Sequence, residues 1–511
     1  MTRRRQGLVF VLSASLYVAT SYAGVRSPDA EVVFETCDAL LHRHTFAVEG
    51  QSTWEGFGLA PDLDGRSTSI FGPLQPIACV PFLAAAELAN HTNWFTRISP
   101  PRSHYIDGGS RAVLTNEPIA PEAAEMHARR TLVAWSFNAL VAAASVLAFL
   151  RLCLRFAKHE VSALVVTGAY AVGSLIWPYS GTFFSEPLAI LLLILSFDAL
   201  LAGRRVWAGA ALGLATCAHV TAMLFLPFWL VIACGDGGSR ARAIAGASLL
   251  AGALAALLPL GVFDAARFGS IWETGRNVSP DGFGYGVFQA PWRGLWGLSL
   301  SPGKGLLLFC PVVMLGLAGW RSLAARSAAM RLTAMALAAA LISRWLFVAA
   351  RSDWHGGFCL GPRYLLMAVP FLLWPAVAWL DDVVDARRWR AFAGVLVFLW
   401  ACTLQQLTFV LGEIFSYLHG VKLQGAVAGH NVFVDDEIFL AARHSPLVGL
   451  LDGFRGPFLL KASSADNSTL WLACAVVLSI AWWFAGRAAL AEASPASRGS
   501  GPRRTRRRRA Q

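Results

Sequence analysis

Charge is scarce in this chain. Only 14% of its 511 residues are Asp, Glu, Lys or Arg, while 56% are hydrophobic, too little polar side chain to cover a soluble particle of this length. There is no Walker A loop, no GxSxG elbow and no HExxH pair. Those absences remove the phosphate cradle of a cytosolic nucleotide enzyme, the strained serine turn of a hydrolase and the zinc site of a metalloprotease. Nine cysteines occur with no CxxC pair, mostly inside apolar runs. They read as small hydrophobes and not as a metal site or disulfide framework, although Cys37 and Cys79 could share an oxidising side. No internal repeat is visible, which counts against the inverted-repeat transporters. The net charge is +12, but no basic stripe interleaves with aromatics, so nucleic acid has little support as a partner.

What the chain has instead is repeated apolar runs of membrane-spanning length, separated by short basic blocks. The expected fold class is therefore an all-α polytopic membrane protein of about 12 transmembrane helices with a long first extracytoplasmic loop. Residues 1–24 give a cytoplasmic basic start and a first span. A cleaved signal peptide opens in the same way, but the later topology fits a retained span. Residues 25–130 form the first outer loop, which carries interfacial helices and an acidic pair. Within it, 70–89 is interrupted by Pro73, Pro76 and Pro81 and reads as interfacial or re-entrant. Residues 131–411 form the multi-helix core, in which 207–234 has basic pairs at both ends and reads as a hairpin turning near Ala218–Thr221. A second outer loop covers 412–468, a last span 469–488, and a basic cytoplasmic tail suited to anionic lipid headgroups 489–511. The inner loops are consistently basic, which orients the whole.

The first candidate chemistry is Ser27-Pro28-Asp29-Ala30-Glu31, two carboxylates just beyond the first span. The same residues are also an ordinary helix start: a serine cap, proline in the first position and acids in the first turn. The apolar repeat Ala30, Val33, Phe34, Cys37, Leu41 predicts an amphipathic helix lying flat on the bilayer. Further on, Glu186, His219 and Arg344 are ionisable residues within apolar runs, where a charge costs on the order of 3 kcal/mol. A helix-start acid, an interfacial histidine and a snorkelling arginine are their structural alternatives. All three fall on the outer side, as do Arg351 and Arg363. Carboxylates facing guanidiniums suit transfer from a phosphate-linked donor, because a base can deprotonate a hydroxyl while cations hold the leaving phosphate. Asp435-Asp436-Glu437 with His430 could hold a divalent cation or be a solvated acidic turn; no cofactor is otherwise indicated and no metal ligand set is assigned.

Taken in order, the acidic pair, SIFGPLQPIACVPF, YSGTFFSEPLAILLL, AGAALGLATCAHVTAMLFLPF, RFGSIWETG, LWGLSLSPGKGLLLFCP and DWHGGFCLGPRYL resemble the GT-C superfamily of integral-membrane glycosyltransferases. The likeness is to relatives of protein O-mannosyltransferases and of the lipid A aminoarabinose transferases, over roughly residues 7–380. The resemblance implies transfer of a sugar from a polyprenyl-phosphate carrier to an extracytoplasmic acceptor, with inversion, by a protein of the bacterial inner membrane. It implies that an acid of the first outer loop is the base: Asp29, with Glu31 as orienting partner or substitute. It implies donor-phosphate contacts from Arg363, more weakly from Lys304, Arg351 and Arg344, and from His219 where relatives often carry Lys or Arg. Glu186 matches the pattern without an assigned role, and Trp354 and Tyr364 could stack on a sugar or belong to an aromatic belt. The acceptor, whether protein, lipid or glycan, stays open. The rival readings are a transporter or flippase of a lipid-linked sugar and a non-catalytic membrane partner.

Overall fold

The computed structural model describes residues 1–21, 25, 27–48, 57–90, 104–106, 113–115, 121–235, 237–277, 288–357, 359–411 and 437–448, with 476, 477, 479, 480, 482, 483 and 487. Most of these are helical, and the strands among them are two short antiparallel hairpins, Leu59–Pro61 with Ser67–Ser69 and His104–Ile106 with Val113–Thr115. Asp435, Asp436, His430 and the tail 489–511 lie outside the described residues, as do most of 412–468 and of the last expected span.

Five helical stretches among the described residues are long and apolar enough to cross a membrane: Ser136–Phe156, Ser239–Phe268, Ala328–Ala349, Arg363–Asp385 and Trp389–Val410. Leu74–Ala89, Glu160–Gly173, Val220–Ala233 and Val313–Ala325 are apolar but shorter. The molecule is thus a helical integral membrane protein; among the described residues five stretches reach full spanning length and several apolar helices are shorter. Proline accounts for much of the shortening. The expected span 305–320 is cut into Leu306–Phe309 and Val313–Ala325 around Pro311, and Arg363–Asp385 is built from three pieces beside Pro370 and Pro375.

The helices are held at short range by small residues. A Cβ added to Gly209 would lie 1.9 Å from Leu249 O, and one on Gly252 would lie 2.0 Å from Val206 O. Arg205–Ala218 and Ser239–Phe268 therefore pack backbone against backbone, as lipid-embedded helices do where apolar burial gives no advantage over lipid. Gly316 and Gly319 play the same part against Leu372 and Pro375. The opposite face of Ser239–Phe268 exposes Leu250, Leu254, Leu258 and Val262 at four-residue spacing, a stripe for lipid tails. Arg363–Asp385 is the inner element, buried on nearly all sides.

At the basic end a buried carboxylate in the helix Ala376–Asp385 ties two loops to that helix. Asp381 accepts from the backbone N–H of Lys158 (2.9 Å) and His159 (3.2 Å) and is paired with Arg326, which also donates to Phe156 O. Glu186–Leu201 runs from the other end down to Arg204 and Arg205, and Ala328–Ala349 runs back up from Arg326 to Arg351. One end of the bundle is basic and tied by Asp381; the opposite end carries the mixed acids and bases considered next.

The first loop departs from expectation. Pro28–His42 forms with Ser27 Oγ accepting from Ala30 N at 3.2 Å. It does not lie flat on a surface: Ala30, Glu31, Val32, Val33, Phe34, Thr36, Cys37 and Ala39 are all buried. The reason is that Leu74–Asn90 packs along it, while Val32, Val48 and Leu59 form a second small core under the strand hairpin.

Candidate active site

One chamber of about 630 Å³ opens at the non-basic end of the bundle, a size suited to a ligand of moderate bulk. Four carboxylates (Asp29, Glu186, Asp264, Asp353) and four guanidiniums (Arg267, Arg276, Arg351, Arg363) line it, with His219, His355 and Tyr364. These come from the first loop, three helix ends and the 351–364 loop, so sequence distance gives no hint of their convergence.

Asp29 sits in the first turn of Pro28–His42, where the serine cap fixes its direction. Arg363 Nη1 donates to Asp29 Oδ2 at 2.5 Å, and Arg363 Nε lies 3.4 Å from Glu186 Oε1. The guanidinium also sits over the Phe184 ring at 4.4 Å. One buried cation is thus shared between two acids, one at each edge of its fork. Glu186 in turn lies 3.9 Å from His219 Nε2, and His219 Nδ1 lies 2.9 Å from Thr221 Oγ1.

The backbone around these residues is pinned by buried amides. Asn138 donates to the carbonyls of Thr182 (2.7 Å) and Phe184 (2.9 Å), and Gln75 donates to Phe183 O (2.9 Å). Together they fix the turn that begins the helix at Glu186. Arg205–Ala218 ends in extended backbone at His219 (φ −150°, ψ 110°), so the hairpin expected within 207–234 turns where His219 enters the chamber. Gly72 meets that turn so closely that a Cβ there would lie 2.2 Å from Cys217 O. Arg267 pairs with Asp264 (2.7 Å), donates to Ser69 O (2.8 Å) and sits 3.8 Å over Phe263. It thereby fastens the Leu59–Ser69 hairpin to the end of Ser239–Phe268.

The 351–364 loop supplies the rest. Arg351 grips Asp353 through two bonds of 2.7 and 2.6 Å, and the Tyr364 hydroxyl is 3.4 Å from the same carboxylate. Burial alone would raise the Asp353 carboxyl, but the Arg351 guanidinium prevails and holds it below the usual carboxylate range. His355 is buried and stacks on Phe439, with ring centres 4.2 Å apart. Burial first, then the charge of Lys304, pushes its imidazole down to about 3, so it is neutral across physiological pH. Its Nδ1 accepts the Gly357 N–H at 3.0 Å. A backbone amide only donates, so the ring proton sits on Nε2, which is itself buried, and His355 is a fixed neutral ring in the loop beside the chamber.

The structure brings together Asp29, Glu186, His219, Arg351, Arg363 and Tyr364. Four other residues that the sequence singled out do not line the chamber. Glu31, two residues on and so on the opposite side of the helix from Asp29, is buried away from the chamber. Lys304 is committed: Nζ donates to Gly357 O (2.6 Å) and Cys359 O (2.7 Å), clamping the loop from behind, and burial lowers its ammonium. Arg344, fully buried, donates to Tyr364 O (2.6 and 3.1 Å) and to Thr221 O (3.1 Å) and Oγ1 (3.0 Å). It braces the two segments that carry His219 and Arg363. Trp354 is fully buried and so close to Gly297 that a Cβ there would be 2.2 Å from the indole, which leaves no ring face for a sugar. The residues flanking it, Asp353 and His355, reach the chamber instead. The alternation of polar and aromatic residues in DWH was the available signal. Arg276, Asp264 and Arg267 were not singled out from the sequence and are brought to the chamber by the fold.

Among the described residues one group has metal-ligand spacing, Asp38 with His42 and Glu87. It is already charge-balanced. His42 spans both acids (3.2 and 2.8 Å), Arg129 is 3.4 Å from Glu87, and Arg43 is 4.0 Å from Asp38.

No protein-family model matches the chain, and no curated protein sequence does. In fold it is similar to ArnT from Cupriavidus metallidurans in the apo state, at 14% identity and TM-score 0.47, covering 94% of this chain and 76% of that one. The same protein bound to undecaprenyl phosphate is similar at 12% identity and TM-score 0.46, covering 96% and 78%. The archaeal oligosaccharyltransferase AglB from Archaeoglobus fulgidus, in complex with an inhibitory peptide and a dolichol-phosphate, is similar at 13% identity and TM-score 0.48, covering 82% of this chain and 55% of that one. These likenesses concern the path of the chain, and no residue of either protein is carried over to this one.

Proposed function

We propose that this protein is a membrane glycosyltransferase that moves a sugar from a polyprenyl-phosphate carrier to a hydroxyl-bearing acceptor on the extracytoplasmic face, with inversion. The observation that carries the reading is Arg363 shared between Asp29 and Glu186 inside one chamber. A carboxylate and a guanidinium within bonding distance are the two halves of the chemistry. In the empty chamber they neutralise each other. When the donor enters, its phosphate takes the Arg363 Nη edge, Glu186 keeps the Nε edge, and the Asp29 carboxylate is released to act as base.

The acceptor hydroxyl gives its proton to Asp29 as its oxygen attacks the anomeric carbon. The bond from that carbon to the phosphate oxygen breaks from the opposite side, which inverts the centre. The charge that develops on the departing polyprenyl phosphate falls on Arg363, with Arg351 and Arg276 in the same wall. His219 offers the sugar or phosphate a polar group in the same wall, and Tyr364 borders the same space.

Orientation follows from charge. The basic blocks at Arg155–Lys158, Arg204–Arg205, Arg240–Arg242 and Arg387–Arg390 favour the cytoplasm, so the chamber opens outward in a bacterial plasma membrane. A strain lacking the protein should accumulate a polyprenyl-phosphate sugar and lose one sugar from an envelope protein, lipid or glycan, as read by mass spectrometry. Purified protein in detergent should transfer that sugar from extracted carrier. With no separated compartments a flippase gives no product, so absence of transfer by active, folded protein sinks the reading.

A further inference from the structure

We propose that Thr221 is a positioning residue for sugar transfer: its hydroxyl fixes the His219 ring so that His219 and Glu186 together read one hydroxyl of the donor sugar. The inference rests on the glycosyltransferase reading above and follows from counting hydrogens. Arg344 Nη1 donates to Thr221 Oγ1 at 3.0 Å, and His219 Nδ1 lies 2.9 Å from the same oxygen. Among the described residues these two are the bonding partners of the Thr221 side chain. A guanidinium only donates, so it occupies a lone pair of Oγ1 and leaves the hydroxyl proton still to be placed. His219 Nδ1 is the acceptor within reach, and it accepts only when it carries no proton. Thr221 Oγ1 therefore donates to Nδ1, and the ring proton sits on Nε2. The direction of the guanidinium is fixed independently: Arg344 is fully buried and also donates to Tyr364 O (2.6 and 3.1 Å) and Thr221 O (3.1 Å).

The Nε2–H so placed is 3.9 Å from Glu186 Oε1. That gap is too long for a direct bond, and both residues line the chamber. An oxygen between them is held from both sides only if it can accept from Nε2–H and donate to the carboxylate, which a hydroxyl does. A phosphate oxygen has no proton for Glu186 and is repelled by it, so the gap selects the sugar and leaves the phosphate to the Nη edge of Arg363. Glu186 already lies 3.4 Å from Arg363 Nε, which sets the hydroxyl contact beside the phosphate contact of the same donor. Without the Thr221 hydroxyl the ring proton can move to Nδ1, and the gap then presents two acceptors and no donor.

Transfer by purified protein from extracted polyprenyl-phosphate sugar supplies the kinetic test. Thr221→Val keeps the bulk of the side chain and leaves Arg344 its bonds to the backbone carbonyls of residues 221 and 364, so the fold should hold. It should raise donor KM by about 5-fold to 10-fold, the worth of one hydrogen bond, with acceptor KM nearly unchanged. Thr221→Ser should restore the wild-type value. At position 219 glutamine carries its amide nitrogen near the place of Nε2 and asparagine near that of Nδ1, so His219→Gln should outperform His219→Asn. Adding Thr221→Val to His219→Gln should cost nothing further, because no tautomer is left to fix. Equal loss in both backgrounds, or asparagine serving as well as glutamine, overturns the proposal. The tautomer is also read without turnover, from the nitrogen NMR spectrum of histidine-labelled protein in lipid, where the His219 signals are those lost in His219→Gln. They should show a protonated Nε2 and a bare Nδ1 in the wild type and a mixture in Thr221→Val; a wild-type ring protonated at Nδ1 overturns the proposal whatever the transfer assay gives. Wild-type protein with the expected tautomer and no transfer refutes the glycosyltransferase reading, and the sugar contact with it, while the Thr221–His219 pairing stands.

Discussion

Asp29→Asn is the substitution whose outcome follows most directly from the geometry. Asparagine keeps the shape of the side chain and leaves the Ser27 cap untouched, so Pro28–His42 should fold as before. Arg363 loses its 2.5 Å partner but keeps Glu186 at 3.4 Å, so the guanidinium is not stranded without a counter-ion. The amide cannot accept the acceptor's proton. Loss of a positioned base costs about 100-fold to 10,000-fold in kcat, about 3–5 kcal/mol of transition-state stabilisation. Donor binding should move the other way or not at all, because the phosphate no longer competes with a carboxylate for Arg363. The assay is transfer from extracted polyprenyl-phosphate sugar by purified protein, with kcat and donor KM measured separately. Asp29→Asn with kcat within about threefold of wild type would remove Asp29 as base. A raised KM at unchanged kcat would show that the carboxylate only binds.

Four further outcomes follow. Arg363→Lys removes the fork that bridges phosphate and Glu186, and should weaken donor use by about 1.5–3 kcal/mol, about 10-fold to 150-fold in donor KM, with acceptor KM nearly unchanged. Lys304→Met should lower stability by about 1–3 kcal/mol for each carbonyl it leaves unpaired, read by thermal denaturation in detergent; a donor KM shift as large as that of Arg363→Lys would instead assign it to the phosphate. Gly252→Ala puts a methyl 2.0 Å from Val206 O and should destabilise the bundle, by about 1–3 kcal/mol with the chamber chemistry intact, read as a lowered thermal midpoint at unchanged KM. His355, pushed from 6.5 down to about 3 in the folded protein, is protonated in the unfolded chain before it is in the native one. Its contribution is therefore complete above about pH 6.5 and is lost as pH falls toward 3, with a slope of at most about 1.4 kcal/mol per pH unit. His355→Asn should flatten that part of the stability-pH curve; an unchanged slope would mean the imidazole is not buried neutral.

Much of the membrane character was readable from composition, because apolar runs and basic blocks answer to lipid and voltage and not to tertiary detail. The position of Asp29 and the break at His219 were also legible. A serine-proline-acid start is local chemistry, and a span with basic pairs at both ends has to turn. Where one apolar run breaks into separate helices was not legible in the same way. Hydropathy counts apolar length, whereas Pro311, Pro370 and Pro375 decide whether that length is one helix or several. Nor could hydropathy say that Pro28–His42 is covered by a neighbour and not by headgroups, since both bury an apolar face.

The sequence by itself determined which residues are costly at membrane depth, and so which had to find partners. Glu186, His219 and Arg344 were marked by that cost, while Arg363 and Lys304 were singled out by the family resemblance. Only the tertiary structure decided what each partner is. Lys304 and Arg344 spend their protons on backbone carbonyls, Trp354 is packed against Gly297, and Arg363 alone among these cations reaches Asp29. A buried charge can be satisfied equally well by a carbonyl or by a carboxylate. Which of the two lies within 3 Å is fixed by helices converging from opposite ends of the chain, and no local pattern of residues contains that information.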